Sequence, residues 1–138
     1  MSDITVPISP GELIDKITIL RIKSRRIADD AKLKNVRLEL DTLQRTWAAS
    51  NYARVDIAAD ESELLAVNER LWVIEDEIRV KERFAAFDAE FIRLARAVYF
   101  ENDTRAAIKR RINLRLGSQI IEEKSYSDYR DNVNSAPQ

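Results

Sequence analysis

The chain reads as an all-α protein, and three observations carry that reading. Apolar residues recur at alternating three- and four-residue steps, most clearly Leu33, Val36, Leu40, Leu43, Trp47 and then Leu64, Val67, Leu71, Ile74, Ile78. Two glycines and three prolines in 138 residues supply too few turns for a β-protein or a loop-rich fold. Charged residues make up 34% of the chain, above the ~25% typical of globular domains. Long helices with one buried stripe each accommodate such a composition. The expected architecture is an antiparallel bundle of about five helices, three long and two short. One domain covers residues 1–126, and a flexible, disordered tail covers 127–138.

Each element has its own signal. Ser9-Pro10-Gly11-Glu12 is a helix start: serine at the cap, proline at the first helical position, and glutamate three residues past the serine. The helix it opens spans 10–28, with Leu13, Ile17, Leu20 and Ile27 on one stripe and Ile14 widening it. Ile19 and Ile22 fall off that stripe, so this helix needs more than one neighbour. Asp29-Asp30 punctuates the chain before a second helix over 31–49, and the short link implies an antiparallel hairpin. Residues 50–60 are small and polar, the best loop candidate. Asp60 or Ser62 then caps a third helix that runs to about 84. Phe84 to Asp88 turns the chain, and Asp88 caps a fourth helix over 89–101. Asn102-Asp103 is expected to break it and to cap a fifth, cationic helix over 103–116 that stops at Gly117. After Ser125 the apolar content is too low to hold the tail down.

Composition bounds the function. The net charge of -1 offers no field to recruit nucleic acid or an anionic membrane. With no cysteine and no histidine, the chain lacks thiol catalysis, the commonest general base and the commonest metal ligand. No apolar run approaches the ~20 residues that span a bilayer. The N-terminus lacks the basic and apolar regions of a signal peptide, so a cytoplasmic setting is expected. Consecutive acidic pairs such as Glu122-Glu123 point to different sides of a helix and do not converge on a metal. No catalytic residue, metal or cofactor is assigned.

The segment 102–116, Asn-Asp-Thr-Arg-Ala-Ala-Ile-Lys-Arg-Arg-Ile-Asn-Leu-Arg-Leu, is the most informative stretch. Ile108, Ile112 and Leu116 form its apolar face, and Arg105, Lys109, Arg110, Arg111 and Arg115 its cationic one. Either those cations meet carboxylates inside the fold, the acidic third helix being the nearest supply, or Arg105, Lys109 and Arg110 clamp an anion. Aromatics do not interleave them as a nucleic-acid surface requires. A second candidate is the polar stripe Asn68, Trp72, Glu75, Arg79 and Glu82, where the indole could stack and Asn68 and Glu75 could hydrogen-bond a ligand.

Three blocks carry a family resemblance. They are Ile8 to Leu20 with Lys34-Asn-Val, Val67 to Arg79, and Asn102 to Asn113 continued by Gly117-Ser and Glu122 to Tyr126. Together they resemble a small bacterial family catalogued as a domain of unknown function, over roughly residues 5–126. The resemblance implies no activity and leans toward a sugar- or nucleotide-sugar-related role. The preferred expectation is a non-catalytic interaction or accessory protein. It would self-associate as a homodimer or bind a partner protein, because Ile19, Ile22, Leu65 and Val73 exceed what one seam uses. The alternative is a binder of, or enzyme on, a small anionic ligand such as a nucleotide sugar or phosphate. Arg105, Lys109, Arg110, Asn68, Trp72 and Glu75 would form that site.

Overall fold

The computed structural model describes residues 2–130. It holds four α-helices: α1 (Pro10–Arg26), α2 (Asp30–Ala49), α3 (Ala58–Arg83) and α4 (Ala89–Leu116), with a 3-10 turn, Asn51–Arg54, before α3. Helix α1 touches the other three, whereas α2 packs mainly on α1. The core gathers Leu13, Ile14 and Ile17 of α1, Leu64, Val67 and Leu71 of α3, and Ile108 and Ile112 of α4. Leu40, Leu43 and Trp47 of α2 pack against it.

The helix starts follow their chemistry. Ser9 Oγ accepts from the Glu12 amide at 3.2 Å, and Pro10 opens α1. Glu12 does not return the bond in capping-box fashion, because its carboxylate is taken by Lys109. Asp29 caps α2, and Asp88 caps α4 by accepting from the Phe91 amide at 2.9 Å. Gly117 ends α4 at φ +67°, the left-handed conformation that glycine adopts without a Cβ penalty.

Three expectations change. There are four α-helices among the described residues because α4 runs unbroken through Asn102-Asp103. Asn102 Nδ2 donates to the Val98 carbonyl one turn back, and Asp103 bonds groups outside the helix. With no proline or glycine nearby, nothing interrupts the ladder. Next, α3 starts at Ala58, so Asp60 lies in its first turn and Asp56 accepts from the Ala58 amide instead. Finally, the 50–60 loop carries the 3-10 turn and buries Ile57 in the core. Ile22 is 1% exposed within the single chain, so it needs no second copy to hide it.

Beyond Gly117 the chain turns back along α4 as an extended strap. Glu122 reaches Lys109, Glu123 reaches Arg110, and Lys124, Tyr129 and Arg130 all reach Asp103. Tyr129 packs 5.0 Å from both Tyr99 and Phe100. Ser127 to Arg130 of the expected loose tail therefore belong to this strap, and residues 131–138 lie outside the described residues.

Candidate functional site

The site is built around Asp15. In α1, Ile14 and Ile17 face the core and carry Asp15 inward with them, leaving it 1% exposed. A buried carboxylate must be paired, and Asp15 is paired several times over. Arg105 grips it with two nitrogens, Nε at 2.9 Å and Nη2 on the other oxygen. Asn68 Nδ2 donates to it at 3.0 Å and also to Thr18 Oγ1 at 2.9 Å. Thr18 in turn donates to the Asp15 carbonyl at 2.8 Å. Lys109 Nζ stands 3.9 Å away. The bonds to Asp15 outweigh burial and raise the Arg105 pKa above its already high ordinary value, so this guanidinium stays charged.

Lys109 continues the cluster. It bonds Glu12 at 2.6 Å and Glu122 at 3.5 Å. Burial opposes ionisation of Glu12, but the hydrogen bond and charge of Lys109 outweigh it and hold the carboxyl below its ordinary range. Two cations, Arg105 and Lys109, thus face three carboxylates, Glu12, Asp15 and Glu122. The rest of the cationic face is also matched. Arg110 meets Glu123 at 3.3 Å, Arg111 meets Asp60 at 2.8 Å and Glu63 at 2.5 Å, and Arg115 meets Asp60 at 2.8 Å.

The six residues singled out in the sequence divide between two hollows. Asn68, Trp72, Glu75 and Arg105 line one of about 330 Å³, with Ile19 and Asn102. Lys109 and Arg110 line the other, a groove of about 1000 Å³ between α4 and the strap, where Arg105 also appears. Glu75 pairs with Arg79 one turn along α3. Among the described residues no three acidic side chains gather as a metal cage needs, and no helix is long and apolar enough to cross a membrane.

Sequence reasoning expected carboxylates from α3, and Glu63 of that helix does pair with Arg111. The structure adds Asp60 from the first turn of α3 and draws the rest from α1 and from the strap. Asp15 and Asp60, both almost fully buried, are the residues that reasoning missed. The available signal for Asp15 was an acid set between Ile14 and Ile17 on the apolar side of α1. Gly11 was missed too. Its amide donates to Asn113 Oδ1 at 2.7 Å where α1 meets α4, and a Cβ there would lie 2.5 Å from the Lys109 carbonyl oxygen.

Fold and site together define a small helical protein knit by interhelical ion pairs. The chain belongs to the family described as "Family of unknown function (DUF6165)", whose match covers residues 4–136. Comparisons with curated proteins and with solved structures gave no match.

Proposed function

We propose that this protein is a non-catalytic interaction or accessory protein, working in the cytoplasm as an antiparallel helical bundle with coiled-coil-like seams. The observation that carries this reading is the closure of the basic helix: each of its five cations meets a carboxylate of the same chain. An incoming phosphate would have to displace Asp15 from Arg105, leaving a buried carboxylate with only the Asn68 amide and the more distant Lys109 to offset its charge, which is destabilising. With the polar interior satisfied, what remains available is surface, and exposed apolar side chains suit a macromolecular partner better than a small anion.

A second reading has one observation in its favour. Asn68, Trp72, Glu75 and Arg105 share a hollow, and a half-buried indole beside amide and guanidinium groups can hold a small polar ring. A thermal-shift screen separates the two readings, since a ligand at 100 times its Kd adds about 2.7 kcal/mol of stability. The accessory reading expects no shift with nucleotide sugars, inorganic phosphate or polyphosphate. A saturable rise in Tm that disappears in Arg105→Gln and Trp72→Ala would overturn it.

A further inference from the structure

Helices α3 and α4 form an arm that continues past the buried core. On α3 the last core-cluster residue is Leu71, yet the helix runs on to Arg83. On α4 the helix starts at Ala89, while its core-cluster residues are Ile108 and Ile112. One side of this arm is apolar and exposed, met by the strap at Phe100, where Tyr129 packs. On α3, Val73, Glu77, Val80 and Phe84 are exposed and share a stripe about half a turn from Leu64 and Leu71. On α4, Ile92, Arg96 and Phe100 share a stripe on the far side from Leu94. Ala89, Ile92, Arg93, Arg96, Ala97 and Phe100 line a shallow groove there. Phe84 and Phe87, 67% and 59% exposed, mark the tip. Exposed side chain on Val73, Val80, Phe84, Phe87, Ile92 and Phe100 amounts to roughly 600 Å², scaled from 150–250 Å² for a whole aromatic. That is the upper end of the largest patch on an ordinary monomer and near the ~800 Å² per partner of a stable interface.

The charges on this face identify what covers it. Glu77 on α3 has no cation within ion-pair distance among the described residues, and Arg96 on α4 has no carboxylate. Arg96 rests on the Phe100 ring, and Arg93 bonds only Glu90 on its own helix. The pairs Arg70–Glu101 and Lys81–Asp88 fix the alignment of the two helices, and they set Glu77 level with Arg93 and Ile74 level with Arg96. We infer that the arm's outer face is the interface for a second copy of this chain, related by a two-fold axis running along the arm. This names the partner for the accessory reading and rests on it. Such a rotation lays α3 of one copy on α4 of the other without shifting levels. Glu77 then faces the other copy's Arg93, Val80 faces the Ile92 and Ala89 region, and the phenylalanine tips meet. A two-fold axis across the arm would instead stack α3 on α3, acid against acid, which the charges disfavour. The result is a four-helix bundle made from two hairpins, an isologous interface.

The test is mass by light scattering and sedimentation, with loading varied from micromolar to sub-millimolar. The chain is expected to reach twice its 16.0 kDa mass. Ile92→Glu and Phe84→Glu should raise the dissociation constant at least tenfold with unchanged helical circular dichroism. Both residues are exposed in the single chain, so the monomer still folds. Glu77→Arg alone and Arg93→Glu alone should each weaken self-association, and mixing the two proteins should restore a heterodimer, because both crossed contacts become opposite in sign. A monomer at the highest loading, a dimer indifferent to Ile92→Glu, or no gain on mixing would overturn the inference. The ligand screen would still stand as the separate test of the accessory reading.

Discussion

Gly11→Ala is the sharpest test of how α1 is seated on α4. Taken alone, the substitution should help: alanine is about 1 kcal/mol better than glycine inside a helix, although Gly11 lies in the first turn, where that gain is smaller. The surroundings reverse the sign. The new Cβ would lie 2.5 Å from the Lys109 carbonyl oxygen and 2.8 Å from Asn113 Oδ1. Ordinary contact begins near 3.4 Å, so α1 must move off α4 by roughly an ångström. Overpacking of this kind costs about 1–3 kcal/mol. The movement also stretches the buried bond from the Gly11 amide to Asn113, and a buried acceptor left unmade adds about 1–3 kcal/mol. Less a helix gain of about 0.5 kcal/mol, the net is about 1.5–5.5 kcal/mol of lost stability. At this chain length that is roughly 5–19 °C in Tm. Urea denaturation followed by circular dichroism at 222 nm reads the difference as a lower midpoint at constant slope. A Gly11→Ala protein as stable as the parent would refute the close α1–α4 seating and the reading of Gly11 drawn from it.

Asp15→Ala should cost about 2–4 kcal/mol by the same denaturation assay. It strands Arg105 beside the core, and the figure sits below the full penalty for a buried pair because that guanidinium keeps some water and Lys109 keeps Glu12 and Glu122; a loss under about 1 kcal/mol would refute the hub. Gly117→Ala should cost about 1 kcal/mol from the left-handed backbone alone, since nothing lies within 4 Å of a Cβ there; a calorimetric Tm equal to the parent's would contradict that. The strap should be held only across middle pH. Hydrogen bonds from Lys124 and Tyr129 lower the Asp103 pKa, so its contribution is complete above the ordinary carboxylate range and is lost as pH falls through the lowered value. The bond to Asp103 raises the Tyr129 pKa, so that part is present below the ordinary phenol value and is lost as pH rises through the raised one. Ring resonances of Tyr129 would report both limbs, and an acid limb unaltered by Asp103→Asn would refute the assignment.

The elements that could be read from the sequence were those specified locally. Ser9-Pro10, the α2 and α3 seams, Asp88 and Gly117 need only their neighbours, and each behaves as its spacing predicts. Asn102-Asp103 misled because Asn and Asp cap a helix only where the preceding chain is non-helical. Here that chain is already helical, and the two side chains find other partners. The site was half legible. Cation spacing marked Arg105 and Lys109, and the α3 stripe marked Asn68 and Trp72, which do share ground with Arg105. What spacing could not supply was the source of the compensating charge. Asp15 lies 90 residues from Arg105, and Asp60 lies 51 from Arg111. Only tertiary packing brings those pairs together. The strap's anchor, one phenol between two rings and a carboxylate, was hidden by a composition that looked too polar to dock.

The unbroken course of α4 has a mechanical consequence. At 1.5 Å per residue, its 28 residues make a rod of about 40 Å. Its near end sits among the phenylalanines, and its far half carries the guanidinium that clasps Asp15. A rod with no hinge behaves as a lever: whatever tilts the tip applies torque to the clasp, and whatever loosens the clasp swings the tip.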